Sequence, residues 1–138
     1  MIKKYKLFLE NNNNIVNDIR TILTELTDEG IYCNVFGTLN KSYITITKIQ
    51  YERVNAFTEK EFKLVKDILE SINKYLQIEG YSLEDITCQF IKNRYDTYTK
   101  VYKDIKSIPI EMHEHTNHKL IKRGQYDLYY LLTSIKHD

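Results

Sequence analysis

Phe57-Thr58-Glu59-Lys60-Glu61-Phe62, running on to Gly80, is the stretch on which the fold turns. Thr58 and Glu61 have the spacing of a capping box. The hydroxyl accepts from the backbone three residues on, and the carboxylate reaches back to the cap's own N–H. Phe57 before the cap and Phe62 after it form a hydrophobic staple. Phe62, Val65, Ile68, Leu69, Ile72, Tyr75 and Leu76 then recur at helical spacing, and Gly80 stops the run. The opposite side carries Glu59, Lys60, Lys63, Lys66, Asp67 and Glu70, a charged outward face.

On either side of this helix the period changes from 3.6 to 2. Ile86, Cys88 and Phe90 alternate after it. Before it, Tyr43 to Ile49 is rich in β-branched residues, with Ile44 and Ile46 opposed to Tyr43, Thr45 and Thr47. Ile31, Cys33 and Val35 alternate with Tyr32, Asn34 and Phe36, and Asn40-Lys41 turns the chain between these two runs. Ile15, Ile19, Ile22, Leu23 and Leu26 mark an earlier helix, capped by Asn14 and ended by Gly30. Tyr5, Leu7 and Leu9 against Lys6 and Phe8 predict a strand at the start.

Strand, helix, strand, strand, helix, strand is the ferredoxin-like order, an α+β fold with two helices on one face of a four-stranded antiparallel sheet. It is expected over residues 1–92. Residues 93–138 form a Tyr-rich extension packed on this core, one domain overall. Within the extension, Tyr95, Tyr98, Tyr102 and Ile105 fit a helical stripe, but the same stretch is full of Thr, Tyr and Val, which prefer strands, and strands are expected there. Ile108, Ile110 and Met112 suggest an edge strand beside Pro109. Gln125 to Lys136, with Leu128, Leu131, Leu132 and Ile135, is expected to be a helix.

The expected strand faces carry the functional question. Leu7, Leu9, Cys33, Val35, Ile44 and Ile46 would face the helices. Phe8, Tyr32, Phe36 and Tyr43 would share the helix-free face, where four aromatics need a reason to lie bare. A cover supplied by the extension is one reason, with each tyrosine ring buried and its hydroxyl paired. A stacking platform is another. Leu7-Phe8-Leu9-Glu10-Asn11 and Lys41-Ser42-Tyr43-Ile44-Thr45-Ile46 resemble the first- and third-strand motifs of RNA-recognition domains, with Ser42 and Ile44 where that family has glycines. The resemblance implies single-stranded RNA or DNA binding through Phe8, Tyr32, Phe36 and Tyr43. Lys4, Lys6, Lys41 and Lys48 are candidate phosphate contacts, or equally solvated edge lysines that prevent strand pairing.

Charge and composition narrow the alternatives. The 138 residues carry a net charge of +1, so no overall field points to nucleic acid or to a membrane surface. Residues 51–90 carry five basic and eight acidic side chains, and residues 91–138 carry nine and six. Lys119, Lys122 and Arg123 in that basic tail are candidate partner contacts. Met1-Ile2-Lys3-Lys4 has no signal-peptide pattern, and no apolar run approaches the ~20 residues of a membrane span. Cys33 and Cys88 make no disulfide framework. A soluble, cytoplasmic protein is expected.

Isolated glycines exclude a phosphate-cradling loop, and no serine sits in an elbow motif. The densest set of ligand-type side chains is His113-Glu114-His115 with His118. On a strand His113 and His115 share a face, so with His118 they could hold a metal and an activated water, as in a metal-dependent hydrolase. No cofactor is otherwise expected.

Eighteen Ile, 16 Lys, 12 Tyr and 11 Asn are residues with AT-rich codons. With the two capped helices and the passage Thr27-Asp28-Glu29-Gly30-Ile31-Tyr32, the chain resembles small proteins of AT-rich tailed phages. That resemblance implies a non-enzymatic protein that acts in the host cytoplasm by binding another protein, such as a host defence factor. A homodimer through the aromatic face is a further expectation.

Overall fold

A computed structural model describes residues 2–37, 41–50, 53–54, 56–93, 96–108, 122–123 and 126–137; for 2–14, 49–50, 53–54, 93, 122–123 and 137 it describes the backbone alone. In chain order these form helix α1 (Ile2–Asp28), strands β1 (Tyr32–Gly37), β2 (Ser42–Thr47), β3 (Ile49–Gln50) and β4 (Arg53–Val54), then helix α2 (Glu59–Ile78). Strands β5 (Tyr81–Leu83), β6 (Ile86–Asn93), β7 (Asp96–Tyr102), β8 (Lys122–Arg123) and β9 (Tyr126–His137) follow, with a single 3-10 turn at Ile105–Ser107. The fold is α+β, and every strand pairing is antiparallel.

Helix α2 begins as its local signals require. Thr58 is the N-cap at φ −75° and ψ 163°, and both arms of the capping box form. Phe57 and Phe62 are fully buried. Val65, Ile68, Leu69, Ile72 and Leu76 follow into the core, each contributing about 1.5–3 kcal/mol of transfer free energy as an upper bound. Helix α1 ends in a Schellman motif. The Gly30 N–H donates to Thr27 O at 3.0 Å and the Ile31 N–H to Leu26 O at 3.0 Å. Gly30 holds φ +80°, and Leu26 and Ile31 bury the apolar contact that accompanies the motif.

The main sheet runs β1-β2-β9-β6-β7, with β5 and β8 also paired to β9. Val35, Ile44, Ile46, Cys88, Phe90, Leu128 and Leu131 line one face and join Ile15, Ile19, Leu23 and Leu26 of α1 and the buried stripe of α2 in a single core. Both helices therefore pack on that face.

Three expectations are corrected. Residues 4–9 belong to α1 and not to a first strand. Tyr5 and Leu9 are also one helical turn apart, and the four asparagines after them resist helix only weakly, so the turn pattern begun at Ile15 extends backwards across them. Residues 126–136 lie in a strand and not in a C-terminal helix. Strand β9 is central, and Leu128, Tyr129, Leu131, Thr133, Ser134 and Ile135 are all buried in it, which erases the alternation of a half-exposed strand. The element order consequently departs from β-α-β-β-α-β at both ends. The central position between β2 and β6, expected for residues 4–9, is held by β9. Residues 96–102 are a strand as expected. The edge strand expected at Ile108, Ile110 and Met112 lies, apart from Ile108, outside the described residues.

Cys33 and Cys88 sit on β1 and β6, three strand spacings or about 14 Å apart, and both are free thiols. Burial pushes each thiol up to about 12, so neither is an activated nucleophile at neutral pH. Among the described residues, no helix is long and apolar enough to cross a membrane.

Candidate binding face

The register decides which side chains share the helix-free face. In an antiparallel pair, directly opposed residues point the same way. One row across the sheet is Tyr32, Thr47, Tyr130, Gln89 and Thr99; the next is Asn34, Thr45, Leu132, Thr87 and Val101; a third begins Phe36, Tyr43 and Ser134. The face spans five strands, about 19 Å from first to last. Tyr32 is 55% exposed, Phe36 43% and Val101 54%. The described strands of residues 93–138 lie in the plane of the sheet, β9 between β2 and β6 and β7 beyond β6, and the two aromatic rings of β1 stay open to solvent.

Phe36 and Tyr43 oppose each other across β1 and β2 and stack, with centroids 5.3 Å apart and planes 21° apart. Lys41 Nζ lies 5.9 Å from the Tyr43 centroid and 2.9 Å from Glu84 Oε2. Ser134 Oγ donates to the same oxygen at 2.8 Å. The hydrogen bond from Lys41, then that from Ser134, hold the Glu84 carboxyl below its ordinary value; the bond to Glu84 raises Lys41. Both stay charged across neutral pH. A β-bulge between Gln89 and Phe90 lets Tyr129 lean over the face, where its hydroxyl donates to Gln89 Oε1 at 2.8 Å.

The edge at β1 is partly closed. Arg20 of α1 donates a guanidinium N–H to Val35 O at 3.1 Å, which occupies a carbonyl on the outermost strand and blunts pairing with another chain there. At the α2 side, Lys48 Nζ reaches Glu61 Oε2 at 2.5 Å, with both side chains largely buried.

Of the residues expected on the aromatic face, Tyr32, Phe36, Tyr43 and Lys41 are brought together. Phe8 is not: it lies in α1. Lys122 and Arg123 fall in β8, and only their backbone is described. Lys119, His113, His115 and His118 lie outside the described residues. Among the described residues no group of three or more His, Cys, Asp or Glu is placed to hold a metal. The sequence argument missed Tyr130, Leu132 and Gln89. Tyr130, Leu132 and Ser134 alternate with Leu131, Thr133 and Ile135, a period-2 signal hidden by two adjacent leucines and two adjacent tyrosines.

No protein-family model matches the chain, and no curated protein or solved structure is significantly similar to it.

Proposed function

We propose that the chain is a binding protein that docks a protein partner on the helix-free face of its sheet, with Tyr32, Phe36 and Tyr43 as anchors. The stack of exposed Phe36 on half-buried Tyr43, with Tyr32 open beside it, carries the proposal. Aromatic side chains give large contact area for few rotatable bonds and dominate binding energy in protein interfaces. Threonines at 45, 47, 87 and 99 give the rest of the face a flat, partly polar texture suited to a rim.

The stacked pair also supports a second reading, single-stranded nucleic acid, since bases stack on such rings. Charge favours the first. A nucleic-acid groove needs cations available for phosphates. Lys41 is paired with Glu84 and Lys48 with Glu61, so two of the expected phosphate contacts are neutralised within the fold.

The test is a Tyr32→Ser/Phe36→Ser double variant. Both rings are exposed, so far-UV circular dichroism should match the parent and Tm should move by no more than a few degrees. Quantitative affinity capture should show a specific partner lost by the variant. Identical capture by the two proteins would overturn the proposal. Anisotropy of labelled single strands at low and moderate salt separates the readings: binding lost with the two rings would assign the face to nucleic acid instead.

A further inference from the structure

A second feature lies on the other side of Glu84. The middle of α2, strand β5 with the residues after it, and the turn at residues 103–106 border a cleft of about 230 Å³. Its apolar lining is Leu69, Leu83, Ile86 and Ile105, of which Leu69, Ile86 and Ile105 are buried. Five charged side chains border it, and they are not equivalent. The carboxylate of Glu84 is taken by Lys41 and Ser134. That of Asp104 accepts from the Ser107 backbone N–H and hydroxyl, each at 2.9 Å. Three remain: Glu70 on the helix wall, and Lys103 and Lys106 on the turn wall. None of these three forms an ion pair with another described residue. Asn73 adds an amide whose oxygen accepts from the Leu83 N–H at 3.2 Å, which leaves its N–H donors for a ligand.

We infer that this cleft binds a small zwitterion with an apolar side chain, of the size and chemistry of a free aliphatic or aromatic amino acid. The ligand's ammonium faces Glu70, its carboxylate faces Lys103, Lys106 and the Asn73 amide, and its side chain lies on Leu69, Leu83, Ile86 and Ile105. The volume is below the ~300–1,000 Å³ of pockets for drug-sized ligands and suits a small molecule. A purely apolar ligand leaves the half-buried Glu70 carboxylate and the exposed Lys103 and Lys106 ammonium groups at the rim without partners, and a simple cation or anion satisfies one wall while opposing the other. This site is separate from the aromatic face and does not depend on its role.

The experiment is a titration of the full chain, followed by amide resonances in two-dimensional NMR, with leucine, methionine and phenylalanine in turn. The controls are 4-methylpentanoate, which lacks the ammonium of leucine, and isopentylamine, which lacks its carboxylate. At least one amino acid should give saturable shifts confined to residues 69–73, 83–86 and 103–107, with Kd millimolar or tighter. Each truncated analogue should bind about tenfold more weakly, the order of one lost charge-assisted hydrogen bond. Glu70→Gln, on a solvent-facing wall, should lower amino-acid affinity by a similar factor and leave that for 4-methylpentanoate unchanged. Absence of saturable shifts with all three amino acids, shifts centred elsewhere, or an analogue binding as well as leucine would each overturn the inference.

Discussion

Glu61 shows how much one side chain can hold. Its Oε1 accepts from the Thr58 N–H at 3.1 Å and from the Thr58 hydroxyl at 3.0 Å, while Oε2 takes Lys48. The start of α2 is thereby tied to the end of β2. Thr58→Ala should cost about 1 kcal/mol, within the 0.5–2 kcal/mol range for lost caps, measured by urea denaturation. At Glu84 the expectation concerns pH. Its carboxyl titrates below the ordinary value near 4.5, so the stability it contributes is fully present above that pH and is lost as pH falls through the lowered folded value. Glu84→Gln should therefore destabilise the protein at pH 7 and flatten the acid side of a Tm-against-pH curve. An unchanged acid limb would show that the Lys41–Glu84–Ser134 cluster contributes little to folding. These side-chain pairings could not be read from the sequence, apart from the capping box, because they join residues from 13 to 50 positions apart.

Legibility at the element scale follows how local the determining signal is. Helix α2 is set by a box, a staple and a stripe within 24 residues, and it forms as read. The β1–β2 hairpin is equally local, and its register places Phe36 opposite Tyr43. Strand β9 is different. Its conformation is decided by β2 on one side and β6 on the other, so a buried run of apolar residues resembles a helix until its neighbours are known. The aromatic face was readable on β1 and β2 and unreadable on β9 for the same reason. Helix ends supply a direct test. Gly30 and Gly80 sit at φ +80° and +84°, with open space around an added Cβ. Alanine at either should cost about 1–2 kcal/mol through backbone strain alone. Asparagine should cost less, since it tolerates this region better. Equal losses for both substitutions, measured by Tm, would argue against a conformational cause.

For the whole molecule, the sheet places its most buried strand in the middle and its least buried at the margins. Leu131→Ala, on β9, should cost about 2–5 kcal/mol. Val101→Ala, on the exposed face of β7, should stay within about 0.5 kcal/mol. Denaturant midpoints of the two variants check the contrast. The α+β class was legible from alternating periods along the chain. Which segment fills the centre was not, because residues 4–9 and 126–136 both offer an apolar run, and the choice rests on competition across the entire chain.

Strand β9 leaves the ribosome after every strand it joins. Until then the β1–β2 and β6–β7 hairpins have no common neighbour, and the inner margins of β2 and β6 carry unpaired backbone groups. The nascent chain therefore holds two half-sheets and a pair of helices whose apolar stripes face an incomplete wall. Cooperative closure waits for the last dozen described residues, a non-local step that is slow by its nature. Ribosome-bound chains arrested with β9 still in the exit tunnel should be cleaved readily by protease, and chains arrested with it fully emerged should resist.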